Sequence, residues 1–247
     1  MLILGIDTAG RDGSLALVRY SRPLPETGGA VDVTAFETLE FVPLAGGSYS
    51  ADLIPALHKA LDHQNVALGE IDLFAVASGP GSFTGLRVGL STVKGLAEAL
   101  QKPIAALTVL EAIVLASGRE GRVIAALDAQ RNEVFMGEYV AGPSRGKIEL
   151  EMVSESLALT SDFLTWLSAR VPVPVTLTPD AALATAVTES GSPAEVVVRP
   201  GGDVYARLGL MRYAAGQTTP VELLDANYIR RSDAEIFSAP KLKVPQN

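Results

Sequence analysis

A chain of 247 residues, 48% of them hydrophobic, is long enough for one large domain or two small ones and apolar enough to fill real cores. The absence of cysteine excludes disulfides, thiolate metal sites and a cysteine nucleophile, and fits a reducing, cytoplasmic setting. A formal charge of −8 speaks against a direct grip on nucleic acid, because nonspecific affinity for it comes from lysines and arginines that neutralise phosphates.

Residues 2–6 form a near-continuous apolar strand ending at Asp7 and Thr8. A polar turn at 10–13 and a second strand at 14–18 make it a hairpin. Asp7 follows only six residues without a basic leader, so no signal peptide is expected. Pro23, Pro25, Gly28 and Gly29 mark a loose connection to a third strand at 33–41, which Gly46 and Gly47 close. A helix over 50–64 follows, with Ser50 as its cap. Leu53, Ile54, Leu57, Ala60 and Leu61 are its apolar stripe, and Pro55 removes a backbone donor and should bend it.

The apolar run 74–77 stops at Ser78, Gly79, Pro80 and Gly81, where a strand must turn. Ser82 caps a long helix whose stripe is Leu86, Leu90, Val93, Leu96, Ala97 and Leu100, ended by Lys102 and Pro103. Gly85, Gly89 and Gly95 inside it cost about 1 kcal/mol each relative to alanine. Gly81, Gly85 and Gly89 recur every four residues, so one helical face is nearly bare backbone and another backbone can approach it. Three occupants suit such a face: the chain's own sheet, a phosphate at the helix N-terminus, or a helix from another chain. The known phosphate signatures do not match, since Thr84 stands where a dinucleotide fingerprint needs its third glycine and no Gly-Lys-Ser or Gly-Lys-Thr is correctly spaced. Ser82 is no nucleophile elbow either, because Pro80 precedes it by two. The most apolar stretch, 104–116, is broken by Thr108 and Glu111 and is too short to cross a bilayer, so no membrane role is indicated.

A strand at 124–127 then leads into Asp128, a polar turn at 130–132 and a strand at 133–139, echoing the opening as a weak internal duplication. The rest of this half carries Pro172, Pro174, Pro179 and Pro193 and reads as irregular and abbreviated, with a strand at 147–152. A helix over 203–215 should pack back on the first half. A tail follows with Arg230, Arg231, Lys241 and Lys243, a small basic patch of the kind usual at a solvated terminus.

The stretches SGPGSFTGLRVGLSTVKGLAEALQKPI, ILGIDTAGRDGSLALV, ALDAQRNEVFMGEY and YIRRSD closely resemble the TsaB family, also called YeaZ. That family is a non-catalytic partner in the bacterial machinery that makes threonylcarbamoyladenosine in tRNA. The order of elements likewise resembles the half-molecule repeat of the actin and sugar-kinase superfold. The resemblance therefore implies an α/β, actin-like (ribonuclease H-like) fold of two lobes with an abbreviated second one. Residues 1–104, with the helix 203–216 packed back, would form the first lobe, 105–202 the second and 217–247 a tail.

It also implies a scaffold role beside the catalytic subunit TsaD, with TsaE in the assembled complex, a homodimer in the absence of the partner, and tRNA reached only indirectly. TsaD carries an HxxxH metal pair on the helix after its Lys-Pro-Ile; matching the shared Lys-Pro and Leu-Glu puts Val109 and Ile113 there, which can only pack. His58 and His63, the only histidines, lie about 140° apart on a helix and do not converge on a metal. No catalytic residue, metal site or tightly bound cofactor is implied; ATP or ADP with magnesium is the ligand class at the complex. In the superfold the first-strand aspartate approaches magnesium and phosphate, so Asp7, Thr8, Gly79, Gly81 and Ser82 are the nucleotide candidates, and the alternative to a scaffold is a weak independent ATPase or kinase. For both Asp7 and Asp128 the competing assignment is a simple turn cap. The expected contact surface is Leu53, Leu57, Leu61, Ser82, Gly85, Arg87, Gly89 and Val93, with Arg87 either on a buried carboxylate or on the partner. A protease reading fails for want of HExxH.

Overall fold

The computed structural model describes residues 1–143, 145–227 and 229. The first lobe runs β1 (Leu2–Asp7), β2 (Asp12–Tyr20), β3 (Phe36–Ala45), α1 (Tyr49–His63), β4 (Leu73–Ala77), α2 (Phe83–Leu100) and β5 (Ile104–Leu107). Its sheet has the order β3-β2-β1-β4-β5. The hairpin partners β1 and β2 are antiparallel, and β4 and β5 join in parallel. Parallel neighbours need crossovers, and α1 and α2 supply them. Every residue of β1 and β4 is buried, as the centre of a covered sheet demands.

After α3 (Val109–Ser117) the same order recurs: β6 (Gly121–Gln130), β7 (Glu133–Ala141), β8 (Leu150–Leu159), α4 (Thr160–Ser168), β9 (Val175–Thr178), α5 (Ala181–Glu189) and β10 (Ala194–Val196). The second sheet is β10-β9-β6-β7-β8, the first sheet's order element for element. Finally α6 (Gly202–Ala214) returns to the first lobe and packs on β1, β2, β4 and β5. The second lobe is abbreviated in its helices, nine residues each against 15 and 18, but it omits no element.

Several expectations are corrected. Residues 33–35 are a single 3₁₀ turn rather than strand, because the Asp32 carboxylate accepts from the Thr34 amide at 3.0 Å and caps it. Ser48, not Ser50, precedes the first helix, which continues through Pro55. The strand expected at 147–152 is β8, shifted towards the C-terminus. The prolines that made the second half read as irregular are punctuation: Pro172 and Pro174 precede β9, Pro179 follows it, and Pro193 precedes β10. The basic residues from Arg230 onward lie outside the described residues.

Candidate functional site

The candidate residues fall on the two hairpin turns, the loop after β4, and the helices α1 and α2. At the end of β1, Asp7 Oδ1 accepts from the Ala9 amide at 2.8 Å; at the end of β6, Asp128 Oδ1 accepts from the Gln130 amide at 2.8 Å. The duplication thus reaches individual atoms, and both aspartates cap turns. Their surroundings differ. Asp128 is exposed, and its own amide donates to Asp180 Oδ2 at 2.8 Å. Asp7 is 1% exposed and pairs with Arg199, Nε to Oδ2 at 3.5 Å. Burial pushes the Asp7 carboxyl above its ordinary range, and Arg199 and the Ala9 amide pull the other way.

The turns face each other across a cleft of 1410 Å³ whose walls include Arg11, Asp12, Asp128, Arg131, Asp180 and Arg199. The loop after β4 forms its floor. There the Ser82 amide donates to Ala9 O at 2.7 Å, and Ser82 Oγ accepts from the Gly85 amide at 3.3 Å, capping α2 as its sequence indicated. Asn227, near the end of the described chain, lines the same cleft; its amide donates to Ser78 O and its side chain to Glu155 Oε2, tying the lobes together.

Of the five nucleotide candidates, Gly81 and Ser82 line this cleft, whereas Asp7, Thr8 and Gly79 are buried behind it. A magnesium–phosphate group does not fit them. The one carboxylate that would face it is buried against a guanidinium, and Arg199 also lies over the turn, so that a Cβ on Gly10 would come within 2.9 Å of it.

The contact-surface candidates divide differently from expectation. Leu53, Leu57, Leu61 and Val93 are at most 4% exposed, within the chain's own core. Gly85 and Gly89 meet the β1–β2 turn: a Cβ on Gly85 would lie 2.1 Å from Thr8 O, one on Gly89 2.3 Å from Thr8 Oγ1, and one on Gly81 2.1 Å from Ala9 O. The bare glycine face therefore receives this chain's own backbone, which removes those six residues from an outward surface. Ser82 and Arg87 remain exposed, and Arg87 stacks on Phe83 with its guanidinium 3.8 Å from the ring centre. Gly95 is exposed, and a Cβ there would meet nothing within 4 Å among the described residues.

Val109 and Ile113 are 0% and 1% exposed on α3. Thr108 caps that helix in a reciprocal box with Glu111, at 3.0 and 2.8 Å, and Arg212 of α6 holds Glu111 at 2.8 Å. His58 and His63 are exposed, His63 facing Glu40.

Sequence reasoning missed Arg199 and Tyr49. Neither belongs to a local pattern, since each acts through a partner distant in sequence. Tyr49 donates to Gly10 O at 2.8 Å, and burial, followed by the nearby Asp7 charge, pushes its hydroxyl up to about 12. A raised folded value means that the unfolded chain ionises first, so this contribution is intact below pH 10 and is lost as pH rises towards 12. Urea titrations of wild type and Tyr49→Phe should therefore converge across that window by up to about 2 kcal/mol. A difference that stays constant with pH would refute it.

Two lobes of one topology facing across a cleft define an α/β protein of the actin-like, ribonuclease H-like class. Its residues 43–161 match the family model for TsaD, tRNA N6-adenosine threonylcarbamoyltransferase. The chain is 30% identical over 172 residues to the tRNA threonylcarbamoyladenosine biosynthesis protein TsaB of Bacillus subtilis, covering 69% of this chain and 67% of the relative. It is 31% identical over 142 residues to TsaB of Escherichia coli, a match spanning 56% of this chain and 55% of that one. Among solved structures, YeaZ from Pseudomonas aeruginosa superposes with a TM-score of 0.67 over 92% of this chain and all of the other, at 24% identity, which bears on the fold. The chain belongs to the TsaB family, also called YeaZ.

Proposed function

We propose that the chain serves threonylcarbamoyladenosine synthesis in tRNA as a non-catalytic scaffold that pairs with a TsaD subunit through the outer faces of α1 and α2, with TsaE joining the complex. The observation that carries the non-catalytic role is the burial of Val109 and Ile113. Two apolar side chains sealed in the core stand where the resemblance puts the catalytic subunit's metal ligands. The net charge of −8 supports a tRNA contact made through the partner. An independent ATPase would need Asp7 at a phosphate, and the Arg199 pair stands against that.

The pairing surface rests on Gly95. Gly81, Gly85 and Gly89 each have an intrachain reason for lacking a side chain, whereas Gly95 gives up about 1 kcal/mol of helix propensity with no described residue beside it. A close approach by a second helix offsets that cost. Ile54, 43% exposed on the adjoining α1, adds an apolar contact. The same surface would serve a homodimer when TsaD is absent.

At concentrations where wild type and variant are both monomeric, so that dimer linkage does not enter, Gly95→Leu should therefore raise or leave unchanged the melting temperature, by roughly 0.8 kcal/mol of helix propensity, while weakening association about tenfold or more. Co-elution with TsaD on size exclusion, for wild type and variant, is the measurement. Undiminished co-elution of the variant would move the surface elsewhere.

A further inference from the structure

Asp7 is buried beside polar groups that are not all satisfied. Thr8 Oγ1, Tyr205 Oη and Arg199 Nε are buried without a hydrogen-bond partner among the described residues. The Tyr205 hydroxyl is held well above its ordinary range by burial first and then by the Asp7 charge, which places it in the field of that carboxylate. A buried carboxylate needs a compensating cation, and Arg199 supplies it.

The position of Arg199 is set by its backbone. It sits in the segment between β10 and α6, and three residues on the Gly202 amide donates to Ser14 Oγ of β2 at 2.9 Å. This return segment is thus fastened to the first hairpin, and the guanidinium reaches Asp7 across the top of the Gly10 turn. It covers the turn backbone that an incoming phosphate would have to approach.

We propose that Arg199 is a resident counter-ion in the place where a divalent cation and phosphate would meet Asp7, so that this cleft rejects magnesium nucleotide and the pair locks the return segment to the first lobe. The inference does not depend on the pairing with TsaD. Asp7 keeps the charge of a cation site, and the chain fills that site with its own side chain.

The test uses the full chain with Mn²⁺ as the spin-detectable probe and Mg·ATP as the calorimetric one. Wild type and Arg199→Lys should bind neither at millimolar concentration. Arg199→Ala should take up Mn²⁺ at least tenfold more tightly than wild type, and Asp7→Asn added to it should abolish that uptake. Removing one partner of the buried pair should also lower the melting temperature of Arg199→Ala by on the order of 10 °C, with much of the loss recovered in Asp7→Asn/Arg199→Ala. Binding of either probe by wild type that Asp7→Asn removes would overturn the proposal, as would a folded Arg199→Ala that gains no Mn²⁺. Should Arg199→Ala fail to fold, the double variant decides: a restored cooperative melt upholds the counter-ion role, and failure to restore it overturns it.

Discussion

Gly5→Ala should cost about 4 kcal/mol or more, beyond the usual range for overpacking, and lower the melting temperature by roughly 10 °C or more for a chain of this size. A Cβ on Gly5 would lie 1.8 Å from Gly202 O and 2.8 Å from the Ala206 amide nitrogen, so the first turn of α6 rests on β1 with no side chain between them. Relief would require one of the two backbones to move. β1 is held on both sides, Gly5 opposite Ala16 of β2 and Ala75 of β4. α6 is held by the Gly202 amide on Ser14 Oγ. The reciprocal substitution, Gly202→Ala, meets Gly5 O at 2.6 Å and should fail in the same way. Circular dichroism melts are the check. A Gly5→Ala protein melting within a degree or two of wild type would mean that α6 does not seat on this strand.

Gly89→Leu should also destabilise the isolated chain, by about 1–3 kcal/mol, a fall of several degrees in melting temperature. Leucine is the better helix former by roughly 0.8 kcal/mol, so a glycine face turned outward would give the opposite sign. The sign follows from Thr8, which is fully buried and whose Oγ1 would stand 2.3 Å from the new Cβ. Gly85→Ala should be destabilising even with one methyl, because its obstacle at 2.1 Å is the Thr8 carbonyl oxygen and not a side chain that can rotate. Compared with Gly95→Leu, these substitutions separate two faces of one helix: one bears on folding, the other on association. A Gly89→Leu melt at or above wild type would return the glycine face to the partner.

Local interactions made much of this fold legible. The apolar run 2–6, the polar turn and the following strand need no distant information to form β1 and β2. Ser82 and the stripe from Leu86 to Leu100 place α2 to within a residue, because a cap and a 3.6-residue period are properties of neighbours in sequence. The paired aspartates revealed the duplication for the same reason. The helices of the second lobe escaped because nine residues give too few turns for a period to show, and the surrounding prolines read as irregular chain rather than as punctuation.

The residues of each segment carry their own chemistry before folding: an aspartate at the end of each lobe's first strand and a helix face without side chains, to which the family resemblance adds Val109 and Ile113 in place of a metal pair. What those features touch follows from the packing of the folded chain. The bare glycine face implied that some backbone would approach it, but whether that backbone was this chain's or another's depended on how the β1–β2 turn folds over α2. Asp7 was a ligand candidate through the resemblance to the superfold, whose first-strand aspartate approaches magnesium and phosphate. It became a buried ion pair once the chain returned from the second lobe and laid Arg199 across it, and periodicity and capping rules cannot reach a contact between residues so far apart in the chain.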